Sequence, residues 1–312
     1  MDAPIEIKHF PVFEKGTFQR YPALFDRFFH DASTYMTEEF EKARSILLKC
    51  EEDVTWPLIT GPGFSGATHP GADNIVIETM FAAYPYIYNS DCLYINVRKG
   101  IFAVSDPPGK TTSSRTLFRR LDRHLLDNPH DGLEAIINKL SEETGYDDAA
   151  TLCLVSLPRP KRHRSPSEAI VYIAGDTVLF HGNPSKGEMV RIDGSPHFIG
   201  TKHARFEPQR ISLDTGDFII IASDGINALL AKNQEQSLEH TLLNHFKDGT
   251  ERFVVDVVQS SNGYYEQHVH GNNVVPRFGG GDNVSVLAIY PDDLIETDEP
   301  QSFVLGGYLS DK

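Results

Sequence analysis

The chain has 312 residues, with 44 Asp and Glu against 29 Lys and Arg, a formal net charge of −15. That balance argues against a protein that coats nucleic acid, and any phosphate chemistry on such a surface needs local cations. With 40% hydrophobic and 23% charged residues, the composition supports a sizeable core and excludes wholesale disorder.

Three cysteines, Cys50, Cys92 and Cys153, stand in apolar contexts with no Cys-x-x-Cys spacing. This excludes a disulfide scaffold and leads us to expect a reducing, cytoplasmic location. The apolar runs fall far short of the ~20 residues a bilayer requires, so no membrane association is expected. In chain order, the first helix is expected over Thr37 to Glu51, where Phe40, Ala43, Ile46, Leu47 and Cys50 share a face. Residues 1–60 are read as a helical extension packed on a main unit, residues 61–312. From Gly61 the pattern becomes short β-type runs: Asn74 to Thr79, Leu93 to Val97, Ile101 to Val104, Thr151 to Leu157, Ala169 to Ala174, Thr177 to Phe180, Phe218 to Ala222 and Val284 to Tyr290. Hairpins are expected across Lys99-Gly100, Pro158 to Pro166 and Gly175-Asp176. Helices are expected over Thr116 to Leu126, over Gly132 to Glu143 behind a capping Asp131, and from about Gln234 to Ser260 with a break near Gly249. Strand groups separated by helical pairs indicate an α+β class, with a sheet-on-sheet core and helices outside.

Acidic residues recur at the ends of the apolar runs. Asp106 follows Ile-Phe-Ala-Val-Ser, Asp224 follows Phe-Ile-Ile-Ile-Ala-Ser, Asp282 opens Asn-Val-Ser-Val, and Asp73 precedes Ile75-Val76-Ile77. If these ends share one edge, four carboxylates converge and require a compensating cation, for which hard ions such as Mg²⁺ or Mn²⁺ suit an all-oxygen set. Each such Asp can also simply punctuate a turn.

These segments, together with Asp148-Ala-Ala-Thr151, Val171-Tyr-Ile-Ala-Gly175-Asp176 and Gly216-Asp217, resemble in order and spacing the metal-dependent protein serine/threonine phosphatases of type 2C. The resemblance runs from about Gly61 to Tyr290. It implies a four-layer α-β-β-α sandwich of two mostly antiparallel sheets and a site for two Mn²⁺ or Mg²⁺ ions. In that site Asp106 would bridge the metals with help from the Pro107 carbonyl, Asp224 and Asp282 would bind one ion, and Asp73 would face the other. The implied activity is hydrolysis of phosphoserine or phosphothreonine in proteins by a metal-activated water, in a signalling role. None of the cysteines lies in a phosphate-loop arrangement, so a cysteine nucleophile is disfavoured.

The chain departs from the family pattern at Asp106-Pro107-Pro108-Gly109-Lys110, where a Gly-rich loop is usual. The family histidine falls on Pro108, and its acidic neighbour of Asp73 is Ala72. The family arginine is missing near Thr68 and His69, so His69, Lys110 or Arg115 is the expected phosphate-binding substitute. The alternative reading is a catalytically impaired phosphatase-fold module that binds or regulates a partner. Asp147 and Asp148 are candidates for a third metal, His268 and His270 for Zn²⁺, and the basic run from Arg159 to Arg164 for a phosphorylated partner; Trp56, Tyr84, Tyr86 and Tyr88 read as packing residues. Substrate identity and oligomeric state have no signature in the sequence.

Overall fold

The computed structural model describes residues 4–29, 37–82, 87–157, 167–201, 205–232, 236–246, 249–269, 273–295 and 302–309. Two antiparallel sheets face each other. The first runs, in spatial order, β1 (Glu6–Pro11), β2 (Thr55–Gly61), β3 (Phe64–His69), β14 (Val284–Ile289), β11 (Phe218–Ala222), β8 (Val178–Asn183) and β9 (Glu188–Ile192). The second runs β10 (Gln209–Ser212), β7 (Glu168–Ala174), β6 (Leu152–Ser156), β5 (Ile101–Ser105), β4 (Tyr88–Asn96) and β15 (Ser302–Leu309). A separate hairpin is formed by β12 (Tyr264–Val269) and β13 (Asn273–Phe278).

The alternation of side chains along each strand builds the layers. Ile219 and Ile221 of β11 meet Phe102, Val104 and Leu93 of the other sheet in the central core. Phe218, Ile220 and Ala222 point the opposite way, onto α7 (Leu238–His245) and α8 (Thr250–Asn262). On the other side Cys92, Tyr94 and Ala103 pack against α5 (Ser113–Asp127) and α6 (Leu133–Glu143). The result is the expected four-layer α-β-β-α sandwich; strands buried on both faces explain why their sequences are continuous apolar runs. No helix among the described residues is long and apolar enough to cross a membrane.

The N-terminal residues are more than a helical extension. They contribute α1 (Thr17–Arg20), α2 (Ala23–Phe29) and α3 (Thr37–Asp53), but also β1 and β2, which are hydrogen-bonded into the first sheet. The expected boundary at residues 60 and 61 falls in the β2–β3 hairpin. The apolar stripe of α3 packs on α4 (Ala72–Ala82), with Phe40, Ala43 and Leu47 against Ile75, Val76 and Met80.

That helix corrects the strand expected at Asn74 to Thr79. Its β-branched residues favour a strand locally, but the backbone N–H groups of Asp73 and Asn74 donate to the carbonyls of Gly279 and Gly280, both at 3.3 Å, and the apolar face docks on α3. Tertiary packing overrides the propensity. Gly175-Asp176 joins strands in different sheets, so it is a crossover and not a hairpin turn. Its Gly175 has φ 83°, and its N–H donates to Ser195 O at 2.9 Å. The N-cap of α6 is Gly132 in place of the expected Asp131, with no side-chain cap bond. The loop 158–166, and with it the basic run, lies outside the described residues, as do Tyr84, Tyr86 and His270.

Candidate metal centre

The β4–β5 ladder ends at the pair Cys92 and Ser105, so the next residues out, Asp91 and Asp106, stand together at its open end. Asp91 is only 1% exposed. Thr151 fixes the backbone of Asp106 from both sides: its hydroxyl accepts from Asp106 N and its own N–H donates to Asp106 O, each at 2.8 Å.

The other sheet delivers two more carboxylates to the same end. β11 and β14 part company after Ala222 and Val286, where Ser223 Oγ accepts from Ser285 N at 2.9 Å. Asp224 follows and opens a 3-10 segment; Asp282 ends the glycine run ahead of β14 and accepts from Asn283 N at 2.8 Å. Gly225 is obligatory here, because a Cβ at that position would stand 1.9 Å from Asn283 O.

Asn283 laces the two sheets together. Its Oδ1 accepts from Ser90 N at 2.9 Å and from Ser90 Oγ at 2.7 Å, while its Nδ2 donates to Pro70 O at 2.9 Å and Tyr88 O at 3.2 Å. Beside it, Ser285 Oγ and Asn89 Nδ2 both donate to Thr68 Oγ1 at 2.7 Å. A buried network of this kind, in which Asn283 uses both its amide oxygen and its amide nitrogen, rigidifies the end of the sandwich on which the carboxylates stand.

Electrostatics mark the four carboxylates as one group. Burial pushes the carboxyls of Asp91, Asp106, Asp224 and Asp282 above the usual range. The proximity of the other carboxylates adds to this, including Asp176 acting on Asp224 and Asp282. Both carboxylate oxygens of Asp91 and Oδ1 of Asp224 are enclosed without a hydrogen-bond partner of good geometry. Among the described residues no three His, Cys, Asp or Glu side chains already surround a single point at ligand spacing. The donor chemistry nonetheless fits a hard divalent cation: an all-oxygen set, orphaned buried oxygens and mutual repulsion that only protonation or a cation relieves. The group borders a cavity of about 480 Å³, lined by Asn74, Glu78, Tyr88, Ser90, Asp106 to Lys110, Thr151, Asp176, Phe198, Asp224, Gly281 and Asp282.

The candidate residues from the sequence divide accordingly. Asp106, Asp224 and Asp282 come together, and Pro107 lines the cavity beside them. Asp73 does not join them. It is buried in the first turn of α4, where its Oδ1 accepts from Arg27 Nη1 at 2.9 Å and from Phe278 N at 3.2 Å, with Arg277 Nε 3.5 Å from Oδ2. In the first turn of a helix rather than at a strand end, Asp73 serves the helix N-terminus and two arginines. Asp91, missed in the sequence, is the fourth carboxylate of the group. The signal was the hairpin itself: carrying its register past Cys92 and Ser105 sets Asp91 beside Asp106.

Among the expected phosphate ligands, His69 is buried against Trp56, and its Nδ1 accepts from Gly71 N at 3.0 Å; burial lowers its imidazole to about 3. It carries no charge near neutral pH and is absent from the cavity wall. Arg115 Nη1 donates to Gly306 O at 2.6 Å and secures β15. Lys110 lines the cavity and pairs with Glu78 at 2.6 Å. Asp148 pairs with Arg120 at 3.4 Å, and neither it nor Asp147 lines the cavity.

Residues 109–271 match the family described as Stage II sporulation protein E (SpoIIE). The chain belongs to that family. No characterised protein matches it in overall sequence. Among solved structures it is similar to a bacterial serine phosphatase bearing an arginine-to-alanine substitution, with 13% identity, 74% of this chain and 99% of that one covered, and a TM-score of 0.52. It is also similar to the PP2C phosphatase domain, with a fragment of the regulatory domain, of the cell fate determinant SpoIIE from Bacillus subtilis, with 14% identity, 75% and 65% coverage and a TM-score of 0.50. At these identities the likeness establishes a shared fold, that of the PP2C-type serine/threonine phosphatases.

Proposed function

We propose that this SpoIIE-family member is a Mn²⁺- or Mg²⁺-dependent phosphatase that hydrolyses phosphoserine or phosphothreonine in a protein substrate. The observation that carries the reading is the group of four carboxylates, two from each sheet, with orphaned buried oxygens at the edge of a cleft. Asp91 and Asp106 would hold the metal pair from one sheet, Asp224 and Asp282 from the other. When bound, two such ions supply Lewis acidity to the phosphoryl oxygens and lower the pKa of water. Thr151 keeps Asp106 in place through its two backbone contacts, and Pro107 stiffens the loop that follows. Lys110 offers the cleft a positive charge. The cysteines take no part: all three are buried away from the cavity, and burial raises their thiols, Cys50 to about 11. Their reduced state suits action in the cytoplasm.

The test is hydrolysis of p-nitrophenyl phosphate by the wild type and Asp106→Asn, with Mn²⁺ and with chelator. Metal-dependent turnover that the substitution abolishes supports the reading. A folded wild type silent at every Mn²⁺ and Mg²⁺ concentration overturns it in favour of a binding module.

A further inference from the structure

We propose that Glu78 sets the phosphate affinity of the cleft by governing Lys110, an inference that rests on the phosphatase reading above. Asn74 and Glu78 lie one turn apart on α4, on one face, and both line the cavity. Asn74 Nδ2 donates to Tyr88 Oη at 2.7 Å. Lys110 Nζ donates to Glu78 Oε1 at 2.6 Å and sits 4.8 Å from the centre of the Tyr88 ring. The ammonium group is therefore held over an aromatic face by a carboxylate that projects from a helix.

Among the described residues lining the cavity, Lys110 is the only cation, facing Glu78, Asp106, Asp176, Asp224 and Asp282. A phosphate ester entering between these carboxylates meets one positively charged side chain, and that side chain is already paired. Glu78 thus has two opposed effects. It aims Lys110 into the cleft, and it cancels much of the charge a phosphoryl oxygen would find. The pair is about one-third exposed, 36% for Lys110 and 31% for Glu78, so a phosphate dianion can compete for the ammonium at modest cost. Glu78 is a positioning residue: it acts on the substrate through Lys110.

The experiment compares wild type, Glu78→Gln, Lys110→Met and the double variant. It measures orthophosphate binding by calorimetry in Mn²⁺, and KM and kcat with p-nitrophenyl phosphate. Both residues stand at the cleft mouth, outside the core, and unchanged thermal midpoints verify folding. Glu78→Gln keeps an oxygen to hold Lys110 and removes the counter-charge, so Kd and KM should fall about threefold to tenfold with kcat nearly unchanged. Lys110→Met should raise both about tenfold, and the double variant should match Lys110→Met. An unchanged Kd in Glu78→Gln, or a Glu78 effect that persists without Lys110, overturns the proposal. The expected Kd pattern without turnover would retain it and remove the hydrolytic reading; a wild type that binds no phosphate would overturn both.

Discussion

Asp91 and Asp106 stand side by side one step beyond the last rung of the β4–β5 ladder, and among the described residues neither forms an ion pair. Burial raises the proton affinity of both; Asp91 raises that of Asp106 further, and the charges of Asp282 and Asp224 raise that of Asp91. Without metal this pairing is a burden on the fold. Asp91→Asn should therefore raise the thermal midpoint of chelator-treated protein by about 1.5–3 °C, equivalent to ~1–2 kcal/mol, and abolish the midpoint rise that Mn²⁺ gives the wild type. A midpoint that falls in chelator, or a Mn²⁺ response that survives, would contradict the assignment. Differential scanning fluorimetry suffices.

Asp73 offers the contrast. Its partner Arg27 is nearly as buried, with side-chain exposures of 9% and 2%. Arg27→Met leaves a buried carboxylate poorly compensated and should cost about 3 kcal/mol in urea unfolding. Asp73→Asn should weaken the fold as well, yet leave Mn²⁺ affinity and stoichiometry by calorimetry as in the wild type. Loss of a bound metal in that variant would return Asp73 to the metal centre.

The Asn283 side chain makes four hydrogen bonds, three of them to β4 in the other sheet and one to Pro70 O beside β3. Asn283→Ala should destabilise the protein by about 3 kcal/mol, because it strands several buried partners at once. Mn²⁺ affinity should drop with it, since Asp282 and Ser90 lose their common tie. A neutral substitution by chemical unfolding would show that the network is slack.

The pH response of stability has a definite sign for His69. Burial lowers its folded value from 6.5 to about 3, so the unfolded chain takes up a proton that the native state refuses. Stability from this group is complete above pH 6.5 and is lost as pH falls towards 3, at ~1.4 kcal/mol per unit within that window. The acidic group runs the other way, its raised values favouring the protonated native state. The difference between wild type and His69→Gln isolates the histidine: unfolding in chelator at pH 7 and pH 4.5 should show the wild type losing about 3 kcal/mol more than the variant. Parallel losses would mean His69 is protonated in the native state.

The parts of the fold legible in the sequence are those where one local pattern decides the outcome. Phe218–Ala222 is apolar on both faces because it lies between the core and α8, and the stripes of α3 and α5 repeat at helical spacing. β2 and β15 carry no such pattern: Thr-Trp-Pro-Leu-Ile-Thr-Gly mixes turn residues with apolar ones, and β15 contains a bulge at Gly306. The apolar residues of α4 read as a strand because Ile75-Val76-Ile77 are β-branched; only contact with α3 and the Gly279–Gly280 carbonyls makes them helical. The exchange of Asp91 for Asp73 follows from that misreading. An Asp before an apolar run suggests a strand end, whereas Arg27 and Arg277, which claim it, lie far away along the chain.

The stretch that matches the SpoIIE family, 109–271, stops short of β14, the strand that separates β11 from β3. A fragment trimmed to that stretch would leave β11 with a bare hydrogen-bonding edge in the middle of what should be a continuous sheet, an invitation to pair with other chains. Of the four carboxylates it would keep Asp224 alone. The most recognisable half of this protein is therefore not a unit that can be borrowed: its family is readable from the middle of the chain, but three of the four grouped carboxylates come from its flanks.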